Sequence, residues 1–290
     1  MAATSWQRQR ATLASSPAAV AVLAEWRVKL ALGVGMNASS NVEWCEALVM
    51  RNSGGFGSNL VREPMNTVSN AAFFLFATLG LARLANQTQL PRAMLATEAT
   101  LLLVGLGSVL FHATASYLGE LLDEFPMSIM AIGYLECLRG IHPLTRSPRF
   151  YQASHGAVLV SWGAYFYTHA FMIFQVCFTV QVIVAALISV SAGHFEAEAG
   201  PLIVLRTVPR RNFWLFILMI GLGKGAWEWE RVLYHSDACP TEMSDLRYWL
   251  HPFWHFGSAA AHSSWMAFVA QLKNTAAMAG EASQTGQKRE

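Results

Sequence analysis

The sequence has few charged side chains and no cysteine motif. Asp, Glu, Lys and Arg make up 13% of its 290 residues, against roughly 25% in ordinary soluble domains. The net charge of +2 is spread along the chain, which excludes a basic nucleic-acid surface. The four cysteines have no CxxC spacing, which argues against a zinc ribbon or a redox motif. Hydrophobic residues reach 54%, and this balance is typical of a membrane protein.

Long apolar stretches account for this excess. A helix of about 20 apolar residues can cross a hydrocarbon core of ~30 Å. We predict such helices at 64–82, 99–119, about 123–138, twice within 151–195 with a turn near Thr168 and His169, at 212–229 and at 248–272. The third is the weakest, because Glu136 and Arg139 close it. The predicted fold is an all-α membrane protein, a bundle of seven transmembrane helices.

Charges between these stretches indicate an orientation, because Lys and Arg concentrate in cytoplasmic loops. Alternate loops carry the arginines: Arg83 and Arg92; Arg139, Arg146 and Arg149; Arg206, Arg210 and Arg211. The remaining loops are acidic or neutral, with Glu120, Asp123 and Glu124 between helices two and three, and Glu230, Asp237, Glu242 and Asp245 between six and seven. The N-terminus is therefore predicted to be lumenal or outside, and the C-terminus cytoplasmic.

Five polar residues lie at one end of this predicted bundle. Ser108 and His112 are four residues apart near the end of the second stretch, and Asp123 opens the third. His251 and His255, again four residues apart, begin the seventh. Residues at i and i+4 share a helical face, and the alternation of helices places all five in one leaflet.

Three imidazoles with one open position are the usual shell of a catalytic zinc. We therefore predict an intramembrane zinc site formed by His112, His251 and His255. Zinc lowers the pKa of a bound water to about 7. In this scheme Asp123 is the base or orients the water, and Ser108 donates a hydrogen bond to the developing oxyanion. The alternative for any one of these residues is an ordinary interhelical hydrogen bond.

Two other polar features are given structural roles. His262 is interpreted as a packing or interhelical histidine, with a supporting role at the zinc site as the alternative. Lys224 and Glu228 are i,i+4 partners and most simply neutralise each other.

Several segments, in order along the chain, resemble the alkaline ceramidases. They are Glu-Trp-Cys-Glu at 43–46, Glu-Pro-Met-Asn-Thr-Val-Ser-Asn at 63–70, Gly107-Ser108 to His112, Leu-Asp-Glu-Phe-Pro-Met at 122–127 and His-Pro-Phe-Trp-His at 251–255. That family is grouped with the progestin and adiponectin receptors and the GPI-remodelling hydrolases. The resemblance implies zinc on His112, His251 and His255, catalytic roles for Ser108 and Asp123, and cleavage of ceramide to a sphingoid base and a fatty acid.

The resemblance also implies a calcium site, which maps to Glu43, Trp44, Glu46 and Glu63. Here the sequence departs from the family pattern, with Glu43 in place of Asp and Leu48 in place of an Asn ligand. Calcium prefers six to eight oxygen ligands, so one lost side-chain oxygen weakens the site unless a carbonyl or water replaces it. The family resemblance favours a disulfide between Cys45 and Cys239, both predicted to be lumenal; two free thiols are the alternative.

Together these observations divide the chain into four parts. Residues 1–40 form an N-terminal tail, an interfacial helix or a targeting segment, and residues 41–63 a lumenal loop with the calcium site. Residues 64–272 form the seven-helix transmembrane hydrolase domain, and residues 273–290 a cytoplasmic tail. The expected location is the endoplasmic reticulum or the Golgi membrane.

The function expected is a zinc-dependent intramembrane amidase that hydrolyses ceramide or a related lipid, with no nucleic-acid partner. The alternatives are a receptor of the progestin and adiponectin type with a structural zinc, a hydrolase of GPI-linked lipids, and a metal or proton transporter. A transporter should carry polar residues on both halves of the bilayer. Here they cluster at one end, apart from Lys224.

Overall fold

The computed structural model describes residues 39–53, 61–85, 92–139, 144–199 and 211–287, with side chains described up to Ser191 in the fourth range and up to Asn274 in the last. This part of the chain is helical, and its only extended pairing is an isolated bridge between Ser39 and Ser116. Most of the predicted N-terminal tail, residues 1–38, lies outside the described residues.

Nine α-helices form in the described part of the chain. They are α1 (Cys45–Ser53), α2 (Pro64–Ser69), α3 (Ala71–Ala85), α4 (Arg92–Thr114), α5 (Tyr117–Cys137), α6 (Pro148–Thr168), α7 (Phe171–Ala199), α8 (Arg211–His235) and α9 (Leu250–Gln287). Short 3₁₀ helices at Leu144–Arg146 and Leu246–Trp249 precede α6 and α9. The helix α9 continues through most of the segment assigned to the cytoplasmic tail.

The long helices α3 to α9 correspond one to one to the seven predicted stretches. The turn expected near Thr168 and His169 is confirmed, because His169 adopts a left-handed conformation with φ 55° and ends α6. Within the predicted loop 41–63, nine residues form α1 instead. The fold is therefore all-helical, as the sequence predicted.

One predicted boundary was wrong. The second stretch was expected to continue to residue 119 and the third to begin near Asp123, but α4 ends at Thr114 and α5 begins at Tyr117. Ala115 has φ 47°, which interrupts the helix. Ser116 then caps α5, because its side chain accepts a hydrogen bond from the Gly119 amide. Apolar content continues across this break, so hydrophobicity alone did not locate it.

Several acids that the sequence assigned to loops lie in helices instead. Glu120, Asp123 and Glu124 lie in the first two turns of α5. Glu230, assigned to the loop after the sixth stretch, lies inside α8 and is buried. These carboxylates are thus part of the helical bundle.

Three stretches of the described chain are apolar and long enough to cross a membrane: Pro64–Ala85, Arg92–Thr114 and Phe171–Ser191. The acids within α5, and Lys224 and Glu228 within α8, lower the mean hydropathy of those helices. The pair in α8 neutralises itself as predicted, with Lys224 Nζ 2.7 Å from Glu228 Oε1.

Glycines allow close approach of the helices that carry the polar residues. A Cβ added at Gly107 of α4 would overlap the backbone of α5 at Leu122 and Asp123. Gly223 and Gly257 similarly face each other between α8 and α9. Small residues at helix contacts let backbones come together. Gly107 therefore sets how near Asp123 comes to the residues of α4.

The N-terminal segment is tied onto the end of the bundle where these polar residues lie. The disulfide between Cys45 and Cys239 is present, which confirms that prediction. The Ser40 amide donates to the Ala115 carbonyl at 3.0 Å, at the break between α4 and α5. These links hold the segment against the break between α4 and α5 and, through Cys45, against the connection between α8 and α9.

Candidate metal centre and active site

Three histidines converge where α4 ends and α9 begins. His112 lies in the last turn of α4, whereas His251 and His255 lie on one face of the first turns of α9. One nitrogen from each of them lies within 4.8 Å of the others, and all three side chains are buried. Nε2 of His112 and Nε2 of His251 are 3.2 Å apart. The cluster can hold a metal ion.

The far side of each imidazole is held by an acceptor from another helix or loop. Glu63 Oε2 contacts Nδ1 of His112. Glu230 Oε2 lies 3.0 Å from Nδ1 of His251, and Ser69 Oγ lies 2.8 Å from Nδ1 of His255. When Nδ1 donates its proton to such an acceptor, Nε2 keeps a free lone pair for a metal. The surroundings therefore fit three imidazoles that bind an ion through Nε2.

The sequence did not predict Glu230 or Ser69 as part of this site. Glu230 accepts a second hydrogen bond, from the Cys45 amide to its Oε1 at 3.1 Å. The disulfide-linked segment is thus coupled to the histidine cluster through one carboxylate. An acid at the end of an apolar stretch was the available signal, because such a residue is costly in a membrane unless paired.

Ser108 and Asp123 lie beside the cluster. Ser108 Oγ is 3.5 Å from Nε2 of His255 and is buried. Asp123 of α5 lines the same cavity as Ser108 and His255. The structure therefore brings together all five residues that the sequence singled out.

A narrow, mainly apolar cavity of about 30 Å³ opens beneath these groups. We call it the central cavity. Its upper end is formed by Ser108, Asp123 and His255, and its lower part is lined mostly by aliphatic and aromatic side chains together with Met127, Met130 and Tyr134. Polar groups thus lie at one end of the cavity and a mainly apolar lining at the other.

The residues predicted to bind calcium have other partners. Glu43 accepts from Arg51 and from the Tyr234 hydroxyl. Trp44 packs on His251, with ring centroids 4.1 Å apart. Glu63 contacts His112 and accepts from the Asn66 side chain.

Glu46 is as buried as Glu63 and lies in α1. It accepts hydrogen bonds from the backbone amides of Met65 and Asn66 and from the Tyr248 hydroxyl, at 2.6–2.8 Å. Burial raises the pKa of Glu46, and these three hydrogen bonds oppose the rise. Its observed contacts join α1 to α2 and to the 3₁₀ helix that precedes α9. Calcium at this position stays a prediction.

His262 is an interhelical histidine, as interpreted from the sequence. Its Nδ1 lies 3.0 Å from the Tyr134 hydroxyl and its Nε2 lies 3.0 Å from Glu98 Oε2. It stands two turns further along α9 than His255 and does not belong to the histidine cluster.

Comparison with known proteins agrees with this site. The family model "Ceramidase" matches residues 36–286. The chain is 37% identical over 98 residues to "Alkaline ceramidase 1" of Mus musculus, covering 33% of this chain and 34% of that protein. It is 36% identical over 98 residues to "Alkaline ceramidase 1" of Homo sapiens, covering 33% and 35%. The matched region thus spans about a third of each of these two relatives. Because the family model covers most of the sequence, including every residue of the site, the chain belongs to the ceramidase family.

Proposed function

We propose that this protein is a zinc-dependent amidase that hydrolyses ceramide to a sphingoid base and a free fatty acid. One observation carries the proposal: three converging imidazoles lie beside a serine and an aspartate at the top of an apolar cavity. Membership of the ceramidase family and the names of the relatives support the same substrate class.

His112, His251 and His255 would hold the metal. Three nitrogen ligands favour zinc over calcium or magnesium, which prefer oxygen. Bound zinc supplies a polarised amide carbonyl and an acidified water. Glu63, Glu230 and Ser69 fix the orientation of the three rings from behind.

Ser108 and Asp123 act on the substrate directly. The Ser108 hydroxyl donates a hydrogen bond to the carbonyl oxygen as negative charge develops on it. Asp123 accepts a proton as the oxygen of water bonds to the carbonyl carbon. It then delivers this proton to the nitrogen as the carbon–nitrogen bond breaks. The products are a carboxylic acid and an amine, so atoms and charges balance.

The seven long helices are proposed to span the membrane, with the N-terminus lumenal and the C-terminus cytoplasmic. The ends of α4 and α9 that carry the histidines then lie in the lumenal leaflet. A lipid substrate reaches them laterally from the bilayer. The endoplasmic reticulum or the Golgi is proposed as the location of the protein.

Purified protein in proteoliposomes provides the test. Asp123→Asn and His255→Ala should abolish release of fatty acid from ceramide. The control is His155→Ala, which should retain activity, because this partly buried ring lies on α6 near Glu136 and outside the histidine cluster. Chelation should remove activity and added zinc should restore it. Hydrolysis by Asp123→Asn and His255→Ala at the wild-type rate would disprove the mechanism.

A further inference from the structure

The central cavity has a fixed lower end. Tyr134 of α5 lines it, and this ring packs on Trp265 with centroids 4.3 Å apart. Its hydroxyl lies 3.0 Å from His262, and His262 lies 3.0 Å from Glu98. Tyr134, His262 and Glu98 are all buried, on three different helices. The tyrosine is therefore anchored by a hydrogen-bonded chain that crosses α5, α9 and α4.

A polar chain of this kind in the membrane interior is held tightly. Tyr134 and His262 would each lose a partner if Tyr134 moved, and an unsatisfied buried polar group costs about 1–3 kcal/mol. Gly80 of α3 makes room for the arrangement, because a Cβ there would overlap the Glu98 carboxylate. Movement of Tyr134 away from the cavity is thus opposed on its far side.

The side walls of the cavity are different in character. Met127 and Met130 line it on α5, and methionine is the most adaptable apolar side chain. At about 30 Å³ the cavity admits a chain only when such side chains move aside. The walls can yield, whereas the tyrosine at the lower end cannot.

Along α5 the residues that line the cavity cover a length comparable to that of a hydrocarbon chain. From Asp123 to Tyr134 the helix α5 rises about 16 Å, at about 1.5 Å per residue. Below Ser108 and His255 the lining is apolar except for Ser258 and Tyr134. The Ser258 hydroxyl already donates to the Trp254 carbonyl at 2.7 Å. The lower part therefore offers a substrate hydroxyl one acceptor, Ser258 Oγ, and no free donor above Tyr134.

The chemistry of ceramide decides which of its two chains enters. The acyl chain begins at the carbonyl carbon, so its methylene groups follow the reacting centre immediately. The sphingoid chain begins beyond the nitrogen, among hydroxylated carbons, and in the lower part of the cavity these hydroxyls would meet only Ser258 Oγ as an acceptor. Burial of a hydroxyl without a partner costs free energy, whereas burial of a methylene group contributes about 0.8 kcal/mol.

Building on the function proposed above, we infer that Tyr134, positioned by His262 and Glu98, sets the maximum length of the acyl chain that the enzyme accepts. Chains that end above the ring bind in the cavity. Longer chains meet an aromatic side chain that cannot withdraw.

The test measures kcat/KM for ceramides that vary in acyl length at constant sphingoid base, and a second series in which the sphingoid base varies. One methylene group in an apolar pocket changes specificity by about tenfold or more. Tyr134→Ala should therefore raise the ratio of long-chain to short-chain kcat/KM by at least about tenfold in the acyl series. Ala261→Leu, which fills the cavity from α9, should shift the ratio in the opposite direction.

Two further variants separate positioning from packing. Tyr151→Ala removes a tyrosine that is equally buried, 4% exposed like Tyr134, but lies outside the cavity. It should leave the acyl profile unchanged. His262→Ala frees the Tyr134 ring, so we expect a broader acyl profile rather than loss of turnover. An unchanged acyl profile in both Tyr134→Ala and Ala261→Leu, or a shift confined to the sphingoid series, would overturn the inference.

Binding of free fatty acids distinguishes this inference from the proposed function. If wild-type protein hydrolyses no ceramide, the proposed function fails. The affinity for a series of fatty acids then still reports on the cavity. If wild type binds fatty acids only up to a certain chain length and Tyr134→Ala binds longer ones, Tyr134 is supported as the lower end of the cavity. If wild type and Tyr134→Ala each bind fatty acids of every chain length with equal affinity, the inference is contradicted.

Discussion

Replacement of Glu230 by glutamine tests the link between the N-terminal segment and the histidine cluster. The carboxylate of Glu230 is 2% exposed and has two neighbours. Its Oε1 accepts from the Cys45 amide at 3.1 Å, and its Oε2 lies 3.0 Å from His251 Nδ1. Both neighbours can act as donors, so both oxygens are needed as acceptors.

A carboxamide has only one acceptor oxygen, and neither orientation satisfies both neighbours. If the oxygen faces His251, the NH₂ group faces the Cys45 amide and leaves a buried donor without a partner, at about 1–3 kcal/mol. If the NH₂ group faces His251, it donates to Nδ1. The ring proton then moves to Nε2, which can no longer bind a metal.

The expected result is a weaker metal site rather than an unfolded protein. Loss of such a supporting partner typically lowers metal affinity by about 10–100-fold, equivalent to about 1.4–2.7 kcal/mol. Competition against a coloured zinc chelator measures this affinity directly. Glu228→Gln serves as the control, because Glu228 lies on the same helix and pairs with Lys224 and Gln175. Equal zinc affinity in wild type and Glu230→Gln would refute the reasoning.

Three further substitutions have defined outcomes. Gly107→Ala should push α5 away and destabilise the protein by about 1–3 kcal/mol in thermal unfolding. Gly163→Ala is the control and should leave stability unchanged, because a Cβ there meets nothing within 4 Å. Equal losses of stability in the two variants would contradict the close approach of α4 and α5. Ser108→Ala should lower turnover by about 10²–10³-fold at unchanged zinc content, and a matching loss of zinc would count against oxyanion stabilisation. Cys239→Ser should lower the free energy of unfolding by about 2–5 kcal/mol, because it breaks the disulfide. Cys177→Ser changes a free thiol and should have a much smaller effect. Equal stability of the two variants would show that the disulfide does not stabilise the fold.

The helices were predictable from the sequence because each apolar stretch carries its own signal. Hydrophobicity and length located all seven, and the spacing of His251 and His255 predicted a shared face without knowledge of any partner. Helix ends were less predictable. The break at Ala115 and Ser116 depends on one left-handed residue and one capping hydroxyl, and the apolar composition does not change there.

The candidate site divides in the same way. Ser108, Asp123 and the three histidines were identified from the sequence, because polar groups in an apolar helix are rare and their spacing is local. Glu63 was assigned to calcium on resemblance, whereas the structure places it against His112. Calcium binding there remains a prediction for which the observed contacts offer no direct support.

By itself the sequence determined that the chain is helical and apolar, and that five polar residues lie at one end of the bundle. Only the tertiary structure decided what holds those residues in place. Ser69 meets His255 and Glu230 meets the Cys45 amide across 186 and 185 residues of chain. The physical reason is that helical periodicity fixes neighbours within one or two turns, whereas contacts between helices depend on how they pack. The closeness allowed by Gly107 and the depth at which Tyr134 ends the cavity are both of this second kind.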